Sequence, residues 1–509
     1  MGMKVLFVSA EVAPFSSVGG LSQVSRLLPK ALLKRNIDIR IFTPKYGTID
    51  EKYHPTKVLI EGLKVPTGED PKSDHPQELI CNVKTLVRPI KSDPVVYFLE
   101  NMEYFEKRAN VYNYSDDHIR FGLLSRAVLE FIKTNNFVPD LIHTNDWHTG
   151  YLVDYLRNKY NDNPLLKKIA VLFSVHNLYQ SVFDFEHASE MDFDDGKSQL
   201  SGFFTERFFK QNAFKRGLIY SDIINTVSET YSREILNEEY SGRLSNLFRE
   251  VRDKLFGIIN GLNYQEFDPK TDKIIKTNFN LNTLDLRNED KVDLQKEFNL
   301  KIDPDVPILA MSGRLDIQKG LDLVMETIDF VLTEFPIQFI VLGPGEDKYR
   351  DFFLELEKKY PHRVGTHLMK NFVLPRKIFA GADMILMPSR YEPGGIVALE
   401  AMRYGCIPIV RETGGLADSV INFNPKENTG TGFSFKTYSE MSFLTAIVRA
   451  LETYKNKKVW RQLVRNVMRQ DFSWDHSAKK YEGLYKRAIE SRQEKLTLKP
   501  TDYTSKETF

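Results

Sequence analysis

Glu392 and Glu400 are the side chains best placed by type and spacing to do chemistry. They sit in and just after the segment Pro388-Ser389-Arg390-Tyr391-Glu392-Pro393-Gly394-Gly395-Ile396. Eight residues is about two helical turns, so a helix through the segment puts both acids on one face. Gly394 and Gly395 can open that helix. A helix start favours an anionic phosphate, and carboxylates accept hydrogen bonds from sugar hydroxyls. A nucleotide sugar carries both kinds of group. Taken alone, a Glu-Pro-Gly-Gly turn is also ordinary punctuation between elements.

Upstream, Met311-Ser312-Gly313-Arg314-Leu315-Asp316-Ile317-Gln318-Lys319-Gly320 follows an apolar strand-like run, Val306 to Met311. Arg314 and Lys319 therefore fall just past a strand end, where open α/β sheets bind ligands. Two cations there can hold a diphosphate and neutralise the charge it gains as a leaving group. The alternative is a pair of solvated surface cations. His143, Asp146 and His148 form a third cluster with ligand-type side chains, but no further ligands accompany them, so metal binding is not expected. Asp192-Phe193-Asp194 matches a short acidic metal pattern but lies in a charged run that reads as a solvated loop. Gly343-Pro344-Gly345 is followed by Glu346 and Asp347, which would repel pyrophosphate.

The elements that position these residues form two series. Lys4 to Ser9 reads as a buried strand and Leu21 to Lys34 as the helix after it. Between them runs the loop Ala13 to Gly20, with Ser17, Gly19 and Gly20 near the helix start. Strand-like runs at Ile37 to Thr43, Val95 to Leu99, Asp140 to His143, Ile169 to Ser174 and Ile223 to Thr226 follow, with a helical pattern at Phe121 to Thr134. A second series runs through Ile308 to Ser312, Ile337 to Leu342, Arg363 to Met369, Met384 to Met387 and Ile407 to Val410. Such alternation predicts mainly parallel, doubly wound sheets. The turn formers from Ile259 to Asp272 mark the boundary.

With 509 residues, the chain is long enough for two domains. Its 70 basic and 69 acidic side chains nearly cancel, so bulk charge suggests neither a nucleic-acid nor a membrane partner. Two distant cysteines, Cys81 and Cys406, imply no disulfide framework, and no apolar run has membrane-spanning length. A cytoplasmic location is expected.

Taken together, these motifs resemble the bacterial glycogen synthase and plant starch synthase family, retaining glucosyltransferases that extend α-1,4-glucan from a nucleotide-glucose. The likeness spans Lys4 to Glu11 with Gly19-Gly20-Leu21, Phe98-Leu99-Glu100-Asn101, His143-Thr144-Asn145-Asp146-Trp147-His148, Val175-His176-Asn177, Thr226-Val227-Ser228, Asn260-Gly261, the Arg314/Lys319 and Glu392 segments and Phe472-Ser473-Trp474. It implies an α/β GT-B architecture: two Rossmann-like domains, 1–258 and 259–475, facing across a cleft. A crossover helix at 476–491 would return to the first domain, followed by a polar tail at 492–509.

By resemblance, Arg314 and Lys319 would bind the donor diphosphate and stabilise it as it departs. Glu392 would stabilise charge at the anomeric centre or orient the sugar. His176 would offer its ring or its carbonyl to the same glucose, with Asn177 beside it. Asp146 would hold glucose hydroxyls or position its loop. Ser17, Gly19, Gly20, Gly394 and Gly395 would line the donor site, and Thr413, Gly414 and Gly415 would supply backbone donors. Glu400 matches related glycosyltransferases in which an acid at this spacing takes the ribose hydroxyls.

The implied partners are ADP-glucose or UDP-glucose and a glycogen-type acceptor, with neither cofactor nor metal. One convincing acid near the sugar favours front-face attack over a covalent intermediate. The chain also departs from the family pattern. Ser17 replaces a Lys, Gln23 an Asp, and Gly394 a Cys, while Lys370 stands where a base-stacking Tyr is expected, with Phe372 as a substitute. The His-Asn-Leu segment is one residue short before Tyr179-Gln180. These departures leave open UDP-glucose, a small acceptor, or a catalytically weakened glucan-binding protein.

Overall fold

A computed structural model describes residues 2–178 and 193–497. Tyr179, Gln180, Asp192 and the tail from residue 498 lie outside the described residues. The chain forms two compact units. Unit 1 comprises residues 1–227, 235–258 and 474–509, and unit 2 comprises residues 228–234 and 259–473.

Unit 1 is built on nine strands: β1 (Lys4–Val8), β2 (Asp38–Pro44), β3 (Thr56–Pro66), β4 (Glu78–Leu86), β5 (Val95–Glu100), β6 (Leu141–Asn145), β7 (Ala170–Val175), β8 (Ile223–Thr226) and β9 (Leu255–Gly257). Their order is β3-β4-β5-β2-β1-β6-β7-β8-β9. The β3/β4 and β4/β5 pairs are antiparallel and the others parallel. Central β1 is buried from Val5 to Val8, as a continuous apolar run between two helical layers requires. Its neighbours β2 and β6 pair with it through Val5, which faces Ile39 and Leu141. The helices α1 (Gly20–Leu33) and α2 (Asp117–Thr134) follow β1 and β5.

The chain returns to unit 1 through a C-terminal helix, Trp474–Thr497. Ala478, Tyr481, Tyr485 and Ala488 are fully buried, and their spacing of three and four residues makes one face. Burying each of the two tyrosine rings contributes on the order of 2 kcal/mol. Polar contacts fix the helix's register. The Tyr485 hydroxyl lies 2.7 Å from His143 Nδ1, Asn225 Nδ2 donates to the Tyr481 hydroxyl at 3.0 Å, and Arg492 Nε donates to the Lys167 carbonyl at 2.8 Å. Residues 492–497, expected in a polar tail, continue this helix.

Unit 2 holds six parallel strands: β10 (Ile308–Ser312), β11 (Gln338–Leu342), β12 (Val364–His367), β13 (Met384–Met387), β14 (Ile407–Arg411) and β15 (Phe433–Phe435). Their order is β12-β11-β10-β13-β14-β15. Sequence direction reverses between β10 and β13, and in unit 1 between β1 and β6. Such switch points open a crevice at the carboxyl ends of the strands. Residues 228–234, which include the short helix α3 (Glu229–Glu234), join unit 2 through Thr230. Its hydroxyl donates to Asp418 Oδ1 at 2.6 Å.

Candidate functional site

In unit 2, the loops after β10 and β13 meet at the switch point. The first carries Arg314 and ends in a 3₁₀ turn, Ile317–Lys319. Gly320 follows at φ +71° and opens α4 (Leu321–Glu334). A Cβ at Gly320 would overlap the Pro388 carbonyl, so only glycine lets these loops touch. The contact brings Lys319 Nζ to 2.7 Å from Glu392 Oε2, and Ser389 Oγ donates to the same oxygen at 3.1 Å. Arg314 Nη2 donates to Gln318 Oε1 at 3.2 Å, and Gln318 Nε2 donates to the Tyr391 carbonyl at 3.3 Å.

Gly313, Arg314, Lys319 and Ser389 line one cavity of about 40 Å³. That is room for only one or two waters, so a larger ligand must reach the cations from outside. The Arg314 side chain, 60% exposed, is open to such an approach. Arg314, Lys319 and Glu392 thus belong to one cluster. Ser389, which binds the catalytic candidate Glu392 directly, was not singled out from the sequence, although it lies three residues before that acid in the same motif.

Glu400 is placed elsewhere. The helix α5 (Ile396–Arg403) begins only after Gly395, so Glu392 lies outside it and the shared-face expectation fails. A proline and two glycines delay the helix start. Glu400 instead sits beside Glu266 and Arg376, and desolvation with the Glu266 charge pushes its carboxyl up to about 8, against the pull of Arg376.

The glycine pairs have a packing role. A Cβ at Gly414 would overlap the Glu392 carbonyl, and one at Gly415 would overlap that of Gly394. Gly395 takes φ +62° at the start of α5. Gly415 N donates to the Glu392 carbonyl at 2.9 Å. Gly414 N and Thr413 Oγ1 donate to the Glu234 carboxylate at 3.0 Å each. The donors expected to face phosphate at Thr413, Gly414 and Gly415 are therefore engaged here by an acid and by backbone. Glu234 carries no sequence signal, because its partners lie far along the chain. Burial raises its pKa, and the Gly414 amide opposes that shift.

In unit 1, the loops after β1 and β6 flank that sheet's switch point. Glu11 Oε2 accepts from Val18 N at 2.6 Å and Gly19 N at 3.2 Å, which folds the glycine loop back on β1. Ser17 Oγ lies 2.8 Å from Ser22 Oγ, and Gly20 opens α1. Asp146 takes φ +53°, and its Oδ1 accepts from His176 N at 2.8 Å. This contact ties the Asp146 carboxylate to the His176 backbone. His176 Nε2 lies 2.8 Å from Asn145 Oδ1, and desolvation pulls its pKa down to about 4, so the ring is neutral. Asn177 follows His176 directly after β7.

His143 and His148 make contacts within the fold of unit 1. His143 is held between Tyr485 and Ser174 Oγ, the latter at 2.6 Å. His148 stacks on Tyr112 at 4.6 Å. Asp194 forms a buried ion pair with Arg216 and accepts from Asn212 N at 2.6 Å.

Comparison with known proteins identifies the family along most of the chain. The family described as "Starch synthase catalytic domain" matches residues 4–250, and "Glycosyl transferases group 1" matches residues 293–467. The chain is 42% identical to a glycogen synthase of Fervidobacterium nodosum, covering 96% of this chain and 99% of the relative. It is 39% identical to that of Thermotoga maritima over the same shares. Among solved structures, the catalytic domain of starch synthase IV from Arabidopsis thaliana, bound to ADP and acarbose, matches with a TM-score of 0.79. That match has 29% identity and covers 96% of this chain and 100% of the other. A sucrose-phosphate synthase from Thermosynechococcus elongatus, at 19% identity and a TM-score of 0.55, shares the fold.

Proposed function

The chain belongs to the glycogen synthase family of glucosyltransferases, and from that premise we propose that it transfers glucose, with retention, from ADP-glucose to the non-reducing end of an α-1,4-glucan. One observation carries the reading. Arg314, Lys319 and Glu392 cluster where the order of the unit 2 sheet reverses, with Lys319 and Glu392 paired at 2.7 Å.

Breaking the donor's glycosidic bond puts positive charge on the anomeric carbon and negative charge on the diphosphate. Arg314 and Lys319 neutralise the second, and Glu392 opposes or orients the first. Because Lys319 is shared with Glu392, the donor's phosphates compete with a carboxylate for one ammonium. Glu392 is the cluster acid assigned to the sugar, since Asp316 pairs with Arg314 at 3.4 Å and Glu400 keeps company with Glu266 and Arg376. Retaining enzymes that form a covalent intermediate use two close carboxylates. Front-face attack, with the leaving phosphate taking the acceptor's proton, suits a single acid. In unit 1, His176 and Asn177 are assigned to the sugar, and Asp146 to holding the His176 backbone.

ADP as the donor nucleotide rests on the related starch synthase, whose structure holds ADP, while Phe372, 77% exposed with Lys370 Nζ 4.9 Å from its ring centroid, offers a stacking ring to either base. The test is to incubate the purified chain with ADP-glucose or UDP-glucose, with and without glycogen, and to measure the nucleoside diphosphate released. Glycogen-dependent ADP release in excess of UDP is expected. Preferential UDP release overturns the donor assignment, and no release from either donor overturns the activity.

A further inference from the structure

A cavity of about 500 Å³ opens in unit 1 between the Val12–Phe15 turn, α1 and the β2/β5 side of the sheet. None of the residues given a role above lines it. Its volume falls within the range of about 300–1,000 Å³ typical of metabolite pockets. Its lining combines two chemistries. Phe15, His54 and Tyr53 supply rings. Phe15 meets His54 edge-on at 5.0 Å and is backed by Phe98 at 5.0 Å, while Tyr53 stands 81% exposed. Arg26, Lys52 and Arg88 supply cations, and none has an acidic partner among the described residues. The lining acid Asp93 is already paired with Lys30 at 2.6 Å.

Three uncompensated cations around one concavity favour an anion, and backed rings favour the flat face of a sugar or base. A glucan would use the rings and leave the cations idle. Inorganic phosphate would use the cations and leave the rings bare. We propose that this cavity is a binding site for a phosphorylated, sugar-bearing metabolite, its phosphate held by Arg26, Lys52 and Arg88 and its ring laid against Phe15 and Tyr53. The site is built from unit 1 alone and does not depend on the donor assignment in unit 2.

Isothermal titration of the full chain tests it, with glucose 6-phosphate and AMP as probes and glucose, inorganic phosphate and maltohexaose as controls. Saturable binding of a phosphorylated probe is expected, tighter than that of any control. The two probes distinguish a sugar phosphate from a nucleotide as the natural class. Arg26→Ala/Arg88→Ala should weaken binding at least about tenfold, and Arg314→Ala should leave it unchanged. Lys52→Glu, at an exposed position, repeats the test should the double variant fail to fold. Binding lost in Arg314→Ala but kept in the unit 1 variants would place the probe at the donor site and overturn the proposal. So would saturable binding of maltohexaose alone, or of no probe.

Discussion

At the scale of single residues, the Lys319–Glu392 pair is the feature on which the chemistry turns. Each partner is expected to cost on the order of 10²–10³ in kcat when replaced by Ala, the range found for removing one charge-stabilising group. The two act through one contact, so the Lys319→Ala/Glu392→Ala double variant should lose about as much as the worse single variant. Steady-state rates for all four proteins close the cycle, and a double loss equal to the product of the singles would show that the pair is uncoupled. Gly320 makes a purely steric prediction. Gly62 and Gly320 share a left-handed backbone, at φ +67° and +71°, but a Cβ on Gly62 meets nothing within 4 Å, whereas one on Gly320 overlaps Pro388. Gly62→Ala should therefore cost only the left-handed penalty, about 1–2 kcal/mol, and Gly320→Ala clearly more. Thermal unfolding of the two variants measures the difference. The motifs at Arg314, Lys319 and Glu392 were legible because their residue types follow strand ends. The partners Ser389, Gln318 and Glu234 were not, because a neutral side chain or a distant acid shows its role only once the loops meet.

At the scale of elements, β6 and the turns that follow β6 and β7 hold three neutral histidines in unit 1. Desolvation holds His143 well below the ordinary imidazole range, His148 down to about 3 and His176 to about 4. Their folded pKa values lie below the unfolded value near 6.5, so their contribution is complete above that pH. It is lost as pH falls from about 6.5 towards 3, because the unfolded chain takes up protons that the folded chain refuses. Urea midpoints should therefore drop over that window, and His148→Phe, which keeps the stack on Tyr112, should flatten the drop. An unchanged slope in that variant would remove His148 from the effect. The strands carrying these residues were legible as apolar runs, with ends displaced by a residue or two. The antiparallel pair β3 and β4 was not, because β3 is largely exposed and lacks a clean buried face. The helix over the two acids failed for a related reason. Eight residues fit two turns only if the helix is already running, and Pro393 and the glycines hold its start back to Ile396.

At the scale of the whole molecule, the chain leaves unit 1, builds unit 2 and returns. A chain ending at Ser473 should lose amide protection in β6, β7 and β8, which the C-terminal helix covers, and keep it in β10, β11 and β13. Hydrogen exchange read by mass spectrometry distinguishes these strands, and equal protection in all six would deny the helix that role. The amino-acid sequence by itself determined the α/β class, the two strand series, the family and the position of the cationic and acidic motifs after strand ends. All of these follow from local periodicity and from the order of short motifs along the chain. Tertiary structure alone decided that Lys319 pairs with Glu392 while Glu400 lies beside Glu266, whose partner is Arg376. It also decided that Glu234 caps Thr413 and Gly414, that residues 228–234 join unit 2, and that a cation-lined cavity opens beside Phe15. Each is a contact between segments distant in sequence, set by which backbones pack closely enough to touch, and no local pattern carries that information.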